Sequence, residues 1–154
     1  MCIRDRANSA AIGDHDAVRF NQAYIGACVG AKLSDLRMAA RVLRGRKVSA
    51  DTRLLVAPAS AKVTAAAAVD GTMETLTEAG AILMPSGCGA CAGMGAGLLA
   101  DDERCISSTN RNFKGRMGSS EAEVWLGSPY TVAASAVTGR LTDPREFLDG
   151  EDGA

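Results

Sequence analysis

Apolar and polar positions follow two rhythms along this chain. Gln22 to Gly30, QAYIGACVG, is a short apolar run closed by small residues, and it predicts a buried strand ending at Cys28. The following LSDLRMAARVLRGRKV changes period. Leu36, Ala39, Ala40 and Leu43 recur on one helical face, while Arg37, Arg41 and Arg44 line the solvated side. Ser34 can cap this helix and Gly45 can end it. A second buried strand is expected over Arg53 to Ala57, stopped by Pro58. Ser60 then caps a helical stretch from Ala61 to Ala79, interrupted near Asp70 and Gly71. Ala81 to Met84 predicts a third strand, ERCISST a fourth, and VWLGS a strand or a short buried extension. NRNFKGRMGSSEAE is polar and contains glycine, hence a loop. A final helix is expected in SPYTVAASAVTGRL, with Ser128 as cap, Pro129 in its first turn and Gly139 at its end.

Strands alternating with helices predict an α/β fold, a three-layer and mostly parallel sheet with helices on both faces. Residues 1–20 show no clear period and read as a leader or the end of an upstream domain. Residues 21–148 read as one domain and residues 149–154 as a tail. The opening MCIRDR fits poorly with the rest of the chain and reads as an artefact of the sequence end; Cys2 within it receives no role. Ligands of such sheets sit beyond the carboxyl ends of the strands. The end of the Cys28 strand, the loop after the third strand and the polar loop after the fourth are therefore expected on one edge.

Composition narrows the function classes. Aromatic residues make up 4% of the 154 residues, so the core must be aliphatic and closely packed. Seventeen basic against 18 acidic residues give a net charge of −1, without the basic field that a nucleic-acid binder needs. No uninterrupted apolar run approaches the roughly 20 residues of a membrane span, and the N-terminus lacks the apolar core of a secretory signal. A cytoplasmic, reducing location is expected. There the odd set Cys2, Cys28, Cys88, Cys91 and Cys105 does not read as a disulfide framework.

The chemistry concentrates in PSGCGACAGMGAG, Pro85 to Gly97, where two thiols stand two residues apart among glycines. Glycine backbone can turn its N–H groups toward thiolates and sulfides. Cys28, Cys88 and Cys91 are the three thiols expected to converge. Three readings stay open at this point. A dithiol redox pair usually opens a helix, and the surrounding glycines weaken that start. A structural zinc wants four closed ligands, three cysteines plus Cys105 or His15. A four-iron cluster held by three cysteines keeps one iron open as a Lewis acid for hydroxyl and carboxylate oxygens. Cys105, inside a strand, reads as a buried small hydrophobe, and His15, the single histidine, as a solvated turn residue.

The ordered set YIGAC, GCGAC, STNRNFKGRMG and SPYTVAASAVTGRLTDPREF resembles the aconitase superfamily over roughly residues 20–148, and most closely the large subunits of its 3-isopropylmalate dehydratase branch. The resemblance implies a hydro-lyase with a [4Fe–4S] cluster that removes and re-adds water on a hydroxy dicarboxylic acid. It maps the cluster ligands to Cys28, Cys88 and Cys91, and substrate contacts to Asn110, Arg111 and Arg116. Guanidinium forks suit dicarboxylates; Lys114 reads as surface. The implied partners are a small subunit carrying a swivel domain, the N-terminal domains of a large subunit, and the hydroxy acid itself. Two departures accompany the match. Many members have SCTN where this chain has ACVG at Ala27 to Gly30, which removes a polar contact and leaves isopropylmalate, homoaconitate, dimethylmalate and citrate all open as substrates. The family's large subunit is also much longer. The expectation is a C-terminal piece of such a subunit, inactive by itself.

Overall fold

The computed structural model describes residues 2–3, 9–15 and 17–148; the expected tail at 149–154 lies outside the described residues. Five strands run parallel: β3 (Gln22–Gly26), β4 (Arg53–Ala57), β5 (Ile82–Leu83), β6 (Arg104–Ser107) and β7 (Glu123–Leu126). Two further strands, β1 (Cys2–Ile3) and β2 (Ser9–Ala10), form a short antiparallel hairpin beside β7, so part of the stretch read as a leader extends the sheet. The order is β2-β1-β7-β6-β3-β4-β5. The expected α/β architecture with a mostly parallel sheet is present.

Alternation along the strands divides the core in two. Ala23, Ile25, Leu54, Val56, Ile106 and Trp125 face one side, and Tyr24, Leu55, Ala57, Cys105 and Val124 face the other. The first side is covered by the long helices: α2 (Leu33–Leu43), α3 (Ala61–Val69), α4 (Thr72–Glu78) and α5 (Pro129–Thr138). The second side carries only short helical turns, α1 (Ala27–Gly30) and a 3-10 turn over Gly89–Ala92, together with the segments around Leu99 and Met117. Handedness accounts for this imbalance. The chain steps from β3 to β4 to β5 in one direction, then returns past them to β6 and β7 in the other. A single crossover hand puts connections of opposite direction on opposite faces. The helical crossovers thus share one face, and the loops after β5 and β6 fall on the other.

The helix boundaries follow local chemistry. Ser60 and Ser128 each accept from a backbone N–H of the first turn, Val63 N and Thr131 N, as the sequence leads one to expect. Helix α2 starts two residues earlier than its Ser34 reading. Lys32 is its cap position, and the Asp35 carboxylate accepts from the Lys32 N–H at 2.9 Å. The break at Asp70 and Gly71 is real. Gly71 is left-handed, and the Asp70 carboxylate accepts from Thr72 N–H while pairing with Arg37 at 2.8 Å. Strand β3 ends at Gly26, two residues before the expected Cys28. Ala27 turns to φ +65° there, a strained value for a residue with a side chain, and the chain coils into α1.

Candidate functional site

The order in which the chain adds strands reverses between β3 and β6, the position in parallel sheets where ligands bind beyond the strand ends. Both segments that leave these two strands are polar-backbone structures tied to one another. The Ser108 hydroxyl accepts from Gly26 N–H at 3.2 Å and donates to Gly30 O at 2.8 Å. One side chain thus bridges the turn that carries Cys28 and the loop that carries Asn110 and Arg111. The approach is so close that a Cβ on Gly30 would stand 2.2 Å from the Ser108 carbonyl oxygen. The place that a larger side chain at position 30 would need is occupied by Ser108, which accounts for the glycine within ACVG in steric terms.

The cysteine loop joins the same edge. Cys28 and Cys88 are exposed and Cys91 is 7% exposed, all as free thiols. Gly89, between the two loop cysteines, comes up against Tyr24: a Cβ built on it would lie 3.6 Å from the Tyr24 hydroxyl. The Tyr24 ring in turn lies across Gly26, two residues before Cys28, where a Cβ would be 2.1 Å from the ring. Tyr24 therefore sits at the meeting of both cysteine-bearing segments. Its hydroxyl is buried without a hydrogen-bond partner among the described residues. Burial, and secondarily the neighbouring Cys91, push the phenol up to about 12.

A buried polar chain anchors the far end of the loop. The Gln22 amide donates to Gly97 O at 2.8 Å and accepts from Arg53 at 3.1 Å, and Arg53 also pairs with Glu103 at 2.8 Å. Gln22 is fully buried, and both ends of its amide are satisfied, which is the condition for a buried amide to stabilise rather than cost. The polar loop after β6 rests on the cysteine loop from the other direction. Leu99 and Gly118 form a parallel bridge, and the Arg116 carbonyl approaches the Cβ position of Gly93 to 3.2 Å. Asn110 and Arg111 are exposed. Arg116 is half-buried, its guanidinium stands 5.3 Å from the centre of the Phe113 ring, and its buried Nε has no partner among the described residues. Of the residues that sequence alone missed, Tyr24, Gln22 and Ser108 matter most. Tyr24 and Gln22 sit on the cysteine side of β3, a fact that strict alternation from Ala23 and Ile25 could have signalled.

Two sequence candidates lie away from this edge or in the wrong chemical state. The His15 ring packs edge-on against Trp125 at 5.2 Å, and Trp125 belongs to the helix-side core. Cys105 is fully buried in β6, beside Gln22, and burial pushes its thiol up to about 12. It is a packed, buried thiol, as expected. A structural zinc is not favoured. Among the described residues, no three His, Cys, Asp or Glu side chains already stand at ligand spacing. The donor set still suits a cluster better than a closed zinc site: three thiols on one edge, an open glycine loop and an orphaned buried hydroxyl beneath it.

Cys105 also sets an alkaline limit on stability. Its folded pKa is raised above the unfolded value of about 8.5. Its contribution is therefore fully present below about pH 8.5 and is lost as pH rises toward the folded value. Urea unfolding between about pH 9 and 11 is expected to lose about 1.4 kcal/mol per pH unit from this group. Cys105→Ala should flatten that slope while lowering the neutral-pH stability through the cavity it leaves. An unchanged slope would contradict the assignment.

Comparison with known proteins places this geometry. Residues 5–139 match the profile of the aconitase family (aconitate hydratase). The chain is 52% identical over 141 residues to the 3-isopropylmalate dehydratase large subunit 2 of Archaeoglobus fulgidus, covering 92% of this chain and 34% of that protein. It is 53% identical over 133 residues to the homoaconitase large subunit of Thermus thermophilus, covering 86% and 32%. It is 55% identical over 127 residues to a 3-isopropylmalate dehydratase large subunit of Nitratidesulfovibrio vulgaris, covering 82% and 30%. The chain thus spans about a third of the length of the curated relatives it matches. The parallel α/β sheet, the two cysteine-bearing segments at its reversal point and these matches together establish that the chain belongs to the aconitase family.

Proposed function

We propose that this chain supplies the cluster-bearing part of a hydro-lyase large subunit that removes water from, and returns it to, a hydroxy dicarboxylic acid of the isopropylmalate or homoaconitate class. The observation that carries the reading is the convergence at one sheet edge of the Cys28 turn, the Cys88–Cys91 loop and the Asn110–Arg116 loop, joined through Tyr24, Ser108 and the Leu99–Gly118 bridge. Proteins of this family generally bind an iron–sulfur cluster, and here Cys28, Cys88 and Cys91 would hold it. Bound there, a [4Fe–4S] cluster supplies a Lewis-acidic iron that polarises a hydroxyl and a carboxylate oxygen.

The chain's own side chains do the rest of the work assigned to this edge. Arg116, with its unpartnered Nε, and the exposed Arg111 present guanidinium groups to substrate carboxylates. The Asn110 amide, exposed beside them, can donate to a substrate or cluster oxygen or sulfur atom. Val29, Met94 and Phe113 are exposed apolar side chains around the same edge, the kind of surface that a further domain or subunit covers. The relatives are named as large subunits, so a small subunit is the partner expected to close this face, along with the remainder of a large subunit. No helix among the described residues is long and apolar enough to cross a membrane, and a cytoplasmic location is part of the proposal.

Anaerobic incubation of the chain with ferrous iron and sulfide tests the reading. About four irons and four sulfides per chain, with a broad visible absorption band, are expected. Isopropylmalate or homoaconitate added to the reconstituted protein should change the spectrum of the open iron. Stoichiometric zinc binding with no visible band would overturn the cluster and the reaction with it.

A further inference from the structure

The Tyr24 hydroxyl is a feature of this edge that neither packing nor the sheet explains. The side chain is 1% exposed, and its hydroxyl has no hydrogen-bond partner among the described residues. An unsatisfied buried hydroxyl costs folding free energy that a phenylalanine at the same place would avoid. The local backbone is nevertheless arranged around this ring. Gly26 leaves the space across which the ring lies, with an added Cβ 2.7 Å from the hydroxyl oxygen itself. Gly89, between Cys88 and Cys91, lies beside the hydroxyl, its Cβ position 3.6 Å away in ordinary contact. The hydroxyl thus ends where the two cysteine-bearing segments meet, in the same buried cluster as Cys91.

We propose that Tyr24 is a positioning residue whose hydroxyl donates a hydrogen bond to an anionic sulfur of the bound cluster, the Cys91 thiolate or a sulfide beside it. The inference rests on the cluster reading above. A phenol hydroxyl has one proton to donate. Tyr24 shares one buried apolar cluster with Leu55, Ala90, Leu99 and Cys91, and in such surroundings anionic sulfur is the acceptor that matches it. Hydrogen bonds to cluster sulfurs stabilise added negative charge, and they raise the reduction potential. Tyr24 therefore tunes and protects the cluster without touching substrate.

The test compares wild type with Tyr24→Phe, each measured before and after reconstitution with iron and sulfide. Before reconstitution, Tyr24→Phe is expected to unfold in urea at the same or higher concentration, since it removes an unpartnered hydroxyl. After reconstitution, the cluster should still form. Its one-electron reduction should be disfavoured about tenfold, a shift of about 59 mV to more negative potential, and its visible band should bleach several-fold faster in air. This opposite response of the two forms is what a purely structural role would not produce. An unchanged potential and bleaching rate overturn the role of Tyr24 while leaving the cluster reading intact. A Tyr24→Phe variant less stable before reconstitution also overturns it, because the hydroxyl would then have a partner within the protein. A wild-type chain that takes up no iron and sulfide overturns the cluster reading, and this inference falls with it.

Discussion

Cys28→Ala is expected to abolish cluster binding almost completely while leaving the fold nearly as stable as before. The two effects separate because Cys28 is exposed on the short turn α1, and truncating an exposed side chain usually changes stability by less than about 0.5 kcal/mol. Cluster binding, in contrast, loses one of three protein ligands and the anchor of one whole corner. Iron and acid-labile sulfide after anaerobic reconstitution should fall to a tenth of the wild-type content or less. Cys88→Ala should behave alike, being exposed too. Cys91→Ala should lose the cluster and also some stability, because Cys91 packs beside Tyr24 and Ala90 in the loop-side core. Cys105→Ala should keep the cluster. The pattern discriminates sharply between chemistries. A redox dithiol built from Cys88 and Cys91 would leave Cys28 dispensable, and full iron content in Cys28→Ala would sink the three-thiolate assignment.

Gly118→Ala is expected to destabilise the protein by about 2–4 kcal/mol and to lower its cluster occupancy. Two independent causes act at this residue. Its φ of +134° is a conformation that side-chain-bearing residues rarely adopt. Its added Cβ would also stand 2.4 Å from the Leu99 oxygen and 2.6 Å from the Leu99 nitrogen. Both are backbone atoms and cannot swing aside as a side chain would. They are held by the bridge itself, in which Leu99 N–H donates to Met117 O at 2.8 Å and Ser119 N–H to Leu99 O at 2.9 Å. Leu99 roots the cysteine loop and Met117 follows Arg116, so opening the bridge loosens the cysteine loop and the Asn110–Arg116 loop together. Gly95→Ala separates the two causes: Gly95 is left-handed at φ +73°, but nothing lies within 4 Å of its Cβ position. That variant should cost about 1 kcal/mol, the conformational part alone. Equal losses for the two variants in urea unfolding would refute the steric account.

Most of the architecture is legible in the amino-acid sequence. Strand β4 occupies Arg53 to Ala57, the caps at Ser60 and Ser128 hold, and the helical stretch breaks at Asp70 and Gly71. These features are local. A five-residue apolar run, a serine before a helix and an Asp-Gly pair each bias the backbone through their own sterics and hydrogen bonds. The expected strand end at Cys28 lies two residues too far, because apolar periodicity does not register the left-handed turn at Ala27. The unequal layers are not legible either. They depend on the order in which strands join the sheet, and apolar runs carry no label for their neighbours.

Residue types and their order suffice for the class of fold and the family, through an alternating β/α pattern whose motifs identify the aconitase family, and they propose a donor set of three thiols and two arginines on loops after strands. How those loops are held emerges only in the folded chain. The Ser108 bridge, the Gln22–Gly97 anchor and the Leu99–Gly118 bridge join residues from 19 to 82 positions apart. The same holds for the Tyr24 hydroxyl, whose missing partner becomes visible only once β3 is packed beneath the cysteine loop. The reason is physical. A residue type fixes what a side chain can donate, accept or ligate, whereas the identity of its partner depends on which distant backbone the completed sheet brings within hydrogen-bond reach.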